Sequence, residues 1–248
     1  MNIVYICTVL IIRMLIMKNK FASFINTMLV LLPISLVIVS CKKEEEDKQQ
    51  DNAPSHVEAV DLGLSVKWAN CNIGASTPED AGACYAWGET EEKEEYTPFT
   101  YKYYLGDLNE DGNYNNSEEY ENIGRDISGT IYDVVRTKWG GTWRMPTKEE
   151  LEELCLKCTW EMTEINGVKG KLVTGPNGNS IFLPCTEIYR GTQILNGADG
   201  LGAYLSASIG SFQPYAYCIL FVWSDIASGY MGRDASRADG MAIRPVKE

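Results

Sequence analysis

The sequence predicts an α+β fold, and three observations carry that reading. One early stretch alternates apolar and polar residues with a period of two. Two helical stretches occupy the middle of the chain. Several short strands follow, separated by Gly-rich turns. The early stretch is Val60 to Trp68: Val60, Leu62, Leu64, Val66 and Trp68 are apolar, and Asp61, Gly63, Ser65 and Lys67 are polar or Gly. This is the pattern of a strand with one buried face.

The first expected helix starts at Thr130 as a cap and runs to about Lys138, with Ile131, Val134 and Val135 on one face. The second starts at Thr147, which forms a capping box with Glu150: the threonine accepts from the third helical amide and the glutamate reaches back. Leu151, Leu154, Cys155 and Cys158 then repeat at i, i+3, i+4 and i+7, one apolar stripe, and Glu153 with Lys157 is a favourable i,i+4 pair. Beyond Trp160, Asn166-Gly167 and Pro176-Asn177-Gly178-Asn179 are turn sequences. Strands are expected at Lys171–Thr174, Ile181–Leu183, Ala203–Ser208, Tyr215–Trp223 and Gly240–Val246. No block of the remaining chain is separate enough to form a second domain, and there is no clear internal repeat.

The N-terminal region differs in kind. Residues 1–40 hold Arg13, Lys18 and Lys20 and no acid. A short basic region precedes the apolar run Phe21–Ser40, which ends in Ile38-Val39-Ser40-Cys41. Basic, apolar and small segments in that order describe a signal peptide, with Met17 as the natural start. A cysteine directly after the small residues resembles the lipobox of bacterial lipoproteins, which implies removal of residues 1–40 and acylation, palmitate included, at Cys41. The other reading is an uncleaved membrane helix, since about 20 apolar residues can cross a bilayer; Asn26 and Pro33 argue against it. Residues 41–57, beginning Lys42-Lys43-Glu44-Glu45-Glu46-Asp47, lack an apolar pattern and are expected to form a flexible tether. A lysine pair followed by acids after the lipid cysteine resembles the surface-export signal of Bacteroides-type lipoproteins. The expected location is the outer membrane, exposed at the cell surface, with the lipid as membrane partner.

The formal charge is −12 over 248 residues, and −15 over residues 41–248. Such an excess argues against nucleic acid, which needs surplus Lys and Arg. The single histidine, His56, excludes multi-histidine zinc sites and disfavours a Ser-His-Asp triad. The sharpest motif is Asp107-Leu108-Asn109-Glu110-Asp111-Gly112-Asn113-Tyr114-Asn115-Asn116-Ser117-Glu118, which satisfies the calcium-loop pattern of an EF-hand. Asp107, Asn109 and Asp111 offer hard oxygens, Gly112 the sharp turn, Asn113 its carbonyl and Glu118 a bidentate carboxylate. The preceding Tyr96–Tyr104 stretch, with Pro98, is not an EF-hand helix. The alternative is a solvated acidic loop; any calcium would be structural.

Cys155-x-x-Cys158 sits late on its helix, where the dipole does not lower a thiol pKa, and is read as buried packing. Cys71, Cys84, Cys155, Cys158, Cys185 and Cys218 allow 15 pairings, among which sequence does not choose. The acidic run Glu89, Glu91, Glu92, Glu94, Glu95 is read as solvated loop rather than a paired-carboxylate hydrolase.

Five blocks taken together resemble a known family: Val60–Ala75 (VDLGLSVKWANCNIGA), Tyr85–Glu91 (YAWGETE), Trp139–Thr147 (WGGTWRMPT), Gly175–Pro184 (GPNGNSIFLP) and Ile243–Val246 (IRPV). From about residue 58 to 248 the chain resembles the Fibrobacter succinogenes major paralogous domain, abundant in gut Bacteroides-type lipoproteins. The resemblance implies a C-type lectin-like fold of the sulfatase-modifying type. Its termini pair in one sheet, two short helices pack on small antiparallel sheets, and a long loop region is irregular. The chain departs from the family at Cys185-Thr186-Glu187 and at Tyr204–Ser208. That fold hosts enzymes, sugar binders and receptors, so it implies no single activity. The leading expectation is a non-catalytic, surface-anchored binding module for a glycan or a protein. A structural envelope lipoprotein and a cryptic enzyme related to the sulfatase modifiers are the alternatives. In this fold class the late loops present ligand, which points to Tyr204, Trp223, Tyr230, Arg233 and Arg237.

Overall fold

Val60 to Trp68 does not run as one strand. In the computed structural model, which describes residues 50–106, 119–195, 200–222 and 230–248 (backbone alone at 230 and 231), the chain turns back within this stretch. Asp61 Oδ1 accepts from the Gly63 amide at 2.7 Å, and Gly63 has φ +75°, a conformation costly for any residue with a Cβ. Strands β1 (Ala59–Val60) and β2 (Lys67–Ala69) therefore pair with each other, Val60 opposite Trp68. The alternation survives in burial: Leu62, Val66 and Trp68 are buried, and Asp61, Gly63, Ser65 and Lys67 are exposed.

The C-terminal strand β13 (Val246–Lys247) lies between β2 and β3 (Trp143–Arg144), so the order is β1-β2-β13-β3 and the two ends of the domain share one sheet. The chain before β1 also docks. Asn52 N donates to Trp139 O at 2.7 Å, Asp51 pairs with Lys247 at 2.6 Å, and His56 Nε2 meets Ala75 O at 3.0 Å. The expectation of a free tether through residue 57 is thus corrected: from Gln50 onward the segment is held by hydrogen bonds and by Ala53 and Val57 against the core. Residues 1–49, with Cys41, lie outside the described residues.

Helix α1 (Val134–Trp139) begins later than expected, because Asp133 and not Thr130 is the cap. Its buried carboxylate accepts from the amides of Gly129, Val135, Arg136 and Met145, at 2.8 to 3.0 Å, so one side chain ties the helix start to the strand-bearing segment after it. Burial nonetheless pushes this acid above the usual carboxylate range. Thr130 closes the preceding turn, donating to Ile127 O at 2.7 Å. Helix α2 (Lys148–Lys157) has the expected capping box between Thr147 and Glu150, and it buries Leu151, Leu154 and Cys155. Glu150 also receives both terminal nitrogens of Arg144, at 2.6 and 2.8 Å.

Strands β4 (Thr159–Ile165), β5 (Val168–Thr174) and β6 (Ser180–Pro184) form a meander. Asn166 and Gly167 both have positive φ, the turn that matches strand twist. The next turn is tied to the first loop: Asn177 and Asn179 each donate to Asp61 O at 2.8 Å. A methyl on Gly175 would overlap the Leu62 carbonyl, so this block needs glycine for close approach.

A third sheet joins β7 (Ile188–Arg190), β8 (Gln193–Leu195) and β12 (Gly240–Met241) in the order β12-β7-β8. Strands β9 (Leu201–Ile209), β10 (Tyr215–Val222) and β11 (Tyr230–Ser236) make an antiparallel sheet in the order β11-β10-β9. Both of its faces are covered. Leu205, Ala207, Ala216 and Cys218 face a core with Trp87, Trp139, Trp143 and five tyrosines, while Tyr204, Ile219 and Phe221 face α2 and Trp68. The architecture is α+β, mostly small antiparallel sheets with two short helices.

Candidate functional site

At the open edge of the β11-β10-β9 sheet, β9 and β10 are joined by Gly210-Ser211-Phe212-Gln213-Pro214. Gly210 N donates to Tyr215 O at 2.8 Å and Tyr215 N to Phe212 O at 3.0 Å, which closes the turn. Asp234 Oδ2 accepts from Ser211 N at 2.9 Å and fastens it to β11. The closed turn leaves two rings in water: Phe212 is 70% and Tyr215 38% exposed. Exposed apolar residues are ordinary singly; two rings on one turn beside a cleft are not.

The cleft lies between this edge and the first turn of α2 and holds about 620 Å³, its side-chain walls including Asp126, Lys148, Glu149, Ser208, Tyr217 and Asp234. Ser208 Oγ accepts from Lys148 N at 2.9 Å and so sets the helix start against β9. The Lys148 ammonium lies 4.9 Å from the Tyr217 ring centre and pairs with Glu152 at 3.7 Å. Tyr217 donates to Glu152 Oε1 at 3.2 Å; burial, then the Glu152 charge, push its pKa up, so the phenol stays protonated. A methyl on Gly232 would overlap the Tyr217 hydroxyl, so glycine there makes room for the ring. The cleft thus offers carboxylate acceptors, an ammonium donor and aromatic faces, the groups that take hydroxyls and C–H faces of a polar ligand.

Of the five late residues expected at a ligand surface, the three with described side chains, Tyr204, Arg233 and Arg237, are not brought together. Tyr204 is corrected to a core residue: it is 1% exposed, its hydroxyl donates to Pro184 O at 2.8 Å, and its ring stacks on Phe221. Arg237 is likewise corrected. It is 1% exposed, its guanidinium lies 4.5 Å from the Trp87 ring centre and 5.1 Å from that of Tyr120, and Nε donates to Tyr101 at 3.1 Å. Arg233 is exposed on β11 and borders the cleft, but pairs opposite Cys218, on the sheet face away from Tyr217 and Asp234. Tyr230 begins β11, with its side chain outside the description, and Trp223 lies outside the described residues.

The whole loop Asp107, Asn109, Asp111, Asn113, Glu118 also lies outside the described residues. Its flanks pair as strands: Tyr104 bridges Tyr120, and Leu105 N donates to Glu119 O at 2.8 Å. Among the described residues no group of three His, Cys, Asp or Glu converges as a metal site, and no helix is long and apolar enough to cross a membrane. No family model, curated protein or solved structure matches the chain.

The described thiols are all free, and burial raises each one: Cys158 to about 11, Cys84 and Cys218 to about 12, and Cys71, Cys155 and Cys185 upward as well. A thiol so placed is a poor nucleophile. Of the acidic run, Glu89 is not solvated: it is buried, accepts from Lys102 N at 2.7 Å and pairs with Lys93 at 2.7 Å. Phe212 and Tyr215 were legible in part, since a Gly-Ser-Phe-Gln-Pro-Tyr turn leaves its ring without strand neighbours to cover it. Lys148, Tyr217 and Asp234 carried no local signal; they meet only through the packing of α2 on β9 and β10 and the pairing of β10 with β11.

Proposed function

We propose that this chain is a non-catalytic glycan-binding module, displayed at the cell surface by a lipid on Cys41, with a C-type lectin-like fold and membership of the Fibrobacter succinogenes major paralogous domain family. The pair of exposed rings, Phe212 and Tyr215, on the connection whose Gly210 and Ser211 line the polar cleft, carries the reading. A pyranose stacks its C–H face on an aromatic ring while its hydroxyls donate to Asp126 and Asp234 and accept from Lys148. A protein ligand would favour a flatter, more apolar patch than this cleft provides.

A glycan array probed with Gln49–Glu248, one compact unit, tests it. Specific retention should fall about tenfold or more in the Phe212→Ala/Tyr215→Ala double variant. Absence of any glycan binding, or binding indifferent to both rings, rejects the reading. Surface display is tested by protease treatment of intact cells, where full protection of the domain rejects it. The loop Asp107–Glu118 binds structural calcium in this reading, in the weak extracellular range of roughly 10⁻⁴–10⁻³ M. Calorimetric titration should show heat that Asp107→Ala abolishes, and silence at millimolar calcium rejects the site.

A further inference from the structure

A second, smaller cavity of about 190 Å³ opens between the segment Ala81–Cys84, the loop Glu92–Tyr96 and β7. Two tyrosines wall it. The rings of Tyr96 and Tyr189 lie 5.6 Å apart at 40°, held there by the backbone: Tyr96 N donates to Gly191 O at 2.9 Å and Gly191 N to Tyr96 O at 2.7 Å. Each hydroxyl is already committed, Tyr96 to Cys84 O and Tyr189 to Glu187 Oε2, both at 2.6 Å, so the rings are fixed in place.

The charged groups lining the cavity are Glu92, Lys93 and Glu187. Lys93 has its charge matched by Glu89 at 2.7 Å and donates to Thr100 O at 3.1 Å; its ammonium lies 5.4 Å from the Tyr96 ring centre, so the Tyr189 ring carries most of the free aromatic surface. Glu92 and Glu187 have no cationic partner among the described residues. Two unmatched carboxylates beside two aromatic rings make a cavity of negative potential, since ring faces also attract cations. Burial first, then Glu187 and Glu92, raise the Cys84 thiol to about 12; burial raises Tyr96 to about 12, and the hydrogen bond to Glu187, then burial, raise Tyr189 to about 12. The volume is below that of a drug-sized pocket and suits a single head group.

We propose that this cavity binds an organic ammonium group, its charge against Glu187 and Glu92 and its methyl or methylene groups against Tyr96 and Tyr189. The site is separate from the glycan cleft and stands or falls without it.

Choline and tetramethylammonium are titrated into the full chain in a non-ionic detergent, followed by amide shifts at Gly82 and Cys84. Sodium chloride serves as the ionic-strength control and 3,3-dimethylbutan-1-ol as the uncharged isostere of choline. Saturable binding with a Kd on the order of 1 mM is expected for the two ammonium ions and none for the alcohol. Glu187→Gln, which keeps an acceptor for Tyr189, should weaken choline about tenfold. Equal binding of the alcohol, or no saturable shift by about 100 mM choline, overturns the proposal with no variant needed. An unchanged affinity in a folded Glu187→Gln protein also overturns it.

Discussion

Arg237 and Arg244 are both 1% exposed, and they are held in opposite ways. Arg244 spends its guanidinium on hydrogen bonds: to Asn72 Oδ1 at 2.7 Å, Ala69 O at 3.0 Å and Phe182 O at 2.8 Å. Those acceptors come from the end of β2, the segment after it and β6, so one side chain joins the sheet of the termini to the meander. No carboxylate takes part in these bonds, and burial lowers the pKa of Arg244 from its usual value. Arg237 rests mainly on ring faces: Nε donates to the Tyr101 hydroxyl at 3.1 Å and Nη1 to Gln213 O at 3.4 Å, while Nη2 is buried and without an acceptor among the described residues. The first arginine is a connector that many backbone groups depend on. The second fills an aromatic box, and its neighbours are satisfied without it: Tyr101, for instance, still donates to Trp87 O.

The contrast is broken or sharpened by one substitution at each site. Arg244→Met should cost about 3 kcal/mol or more in urea unfolding, because three acceptors lose a charged donor. Arg237→Met should cost within about 1 kcal/mol, because an apolar chain suits the rings and removes an incompletely paired charge. Equal costs would mean that the hydrogen bonds and the ring faces are equivalent, and the account of both arginines would fail.

A smaller effect tests how the N-terminal segment docks beside this framework. The Lys247 ammonium lowers the Asp51 carboxyl below its ordinary value. A depressed acid contributes stability above its unfolded pKa and loses it as pH falls through the folded value. Wild-type Tm should therefore drop slightly more than that of Asp51→Asn as pH falls from about 5 to 3. The difference is small because the pair is partly exposed and water screens it. Parallel curves would show that Asp51 contributes nothing through its charge.

How far these features could be read beforehand follows from the range of the forces involved. The capping box at Thr147, the Asn166-Gly167 turn and the alternation of Leu62, Val66 and Trp68 were legible, since each depends on residues within about one turn or one strand. The start of α1 was not. Thr130 and Asp133 are both competent caps in sequence, and Asp133 wins because Met145, twelve residues on, supplies a fourth amide. Arg237 was expected at a ligand surface because late loops of the resembled fold present ligand and arginine favours interfaces. The aromatic box that buries it draws on Trp87, Tyr101 and Tyr120, far away in the chain.

The sequence by itself determined the α+β class, the turns, the cap of α2 and the apolar face of the first hairpin, because local hydrogen bonds and side-chain periodicity decide these. Tertiary structure alone decided which polar groups are inside and which rings are out. Arg237, Arg244, Asp133 and Tyr204 are buried because distant carbonyls, amides and rings meet them there. Phe212 and Tyr215 stay in water because nothing packs over the β9–β10 turn among the described residues, and they leave their faces open beside a polar cleft.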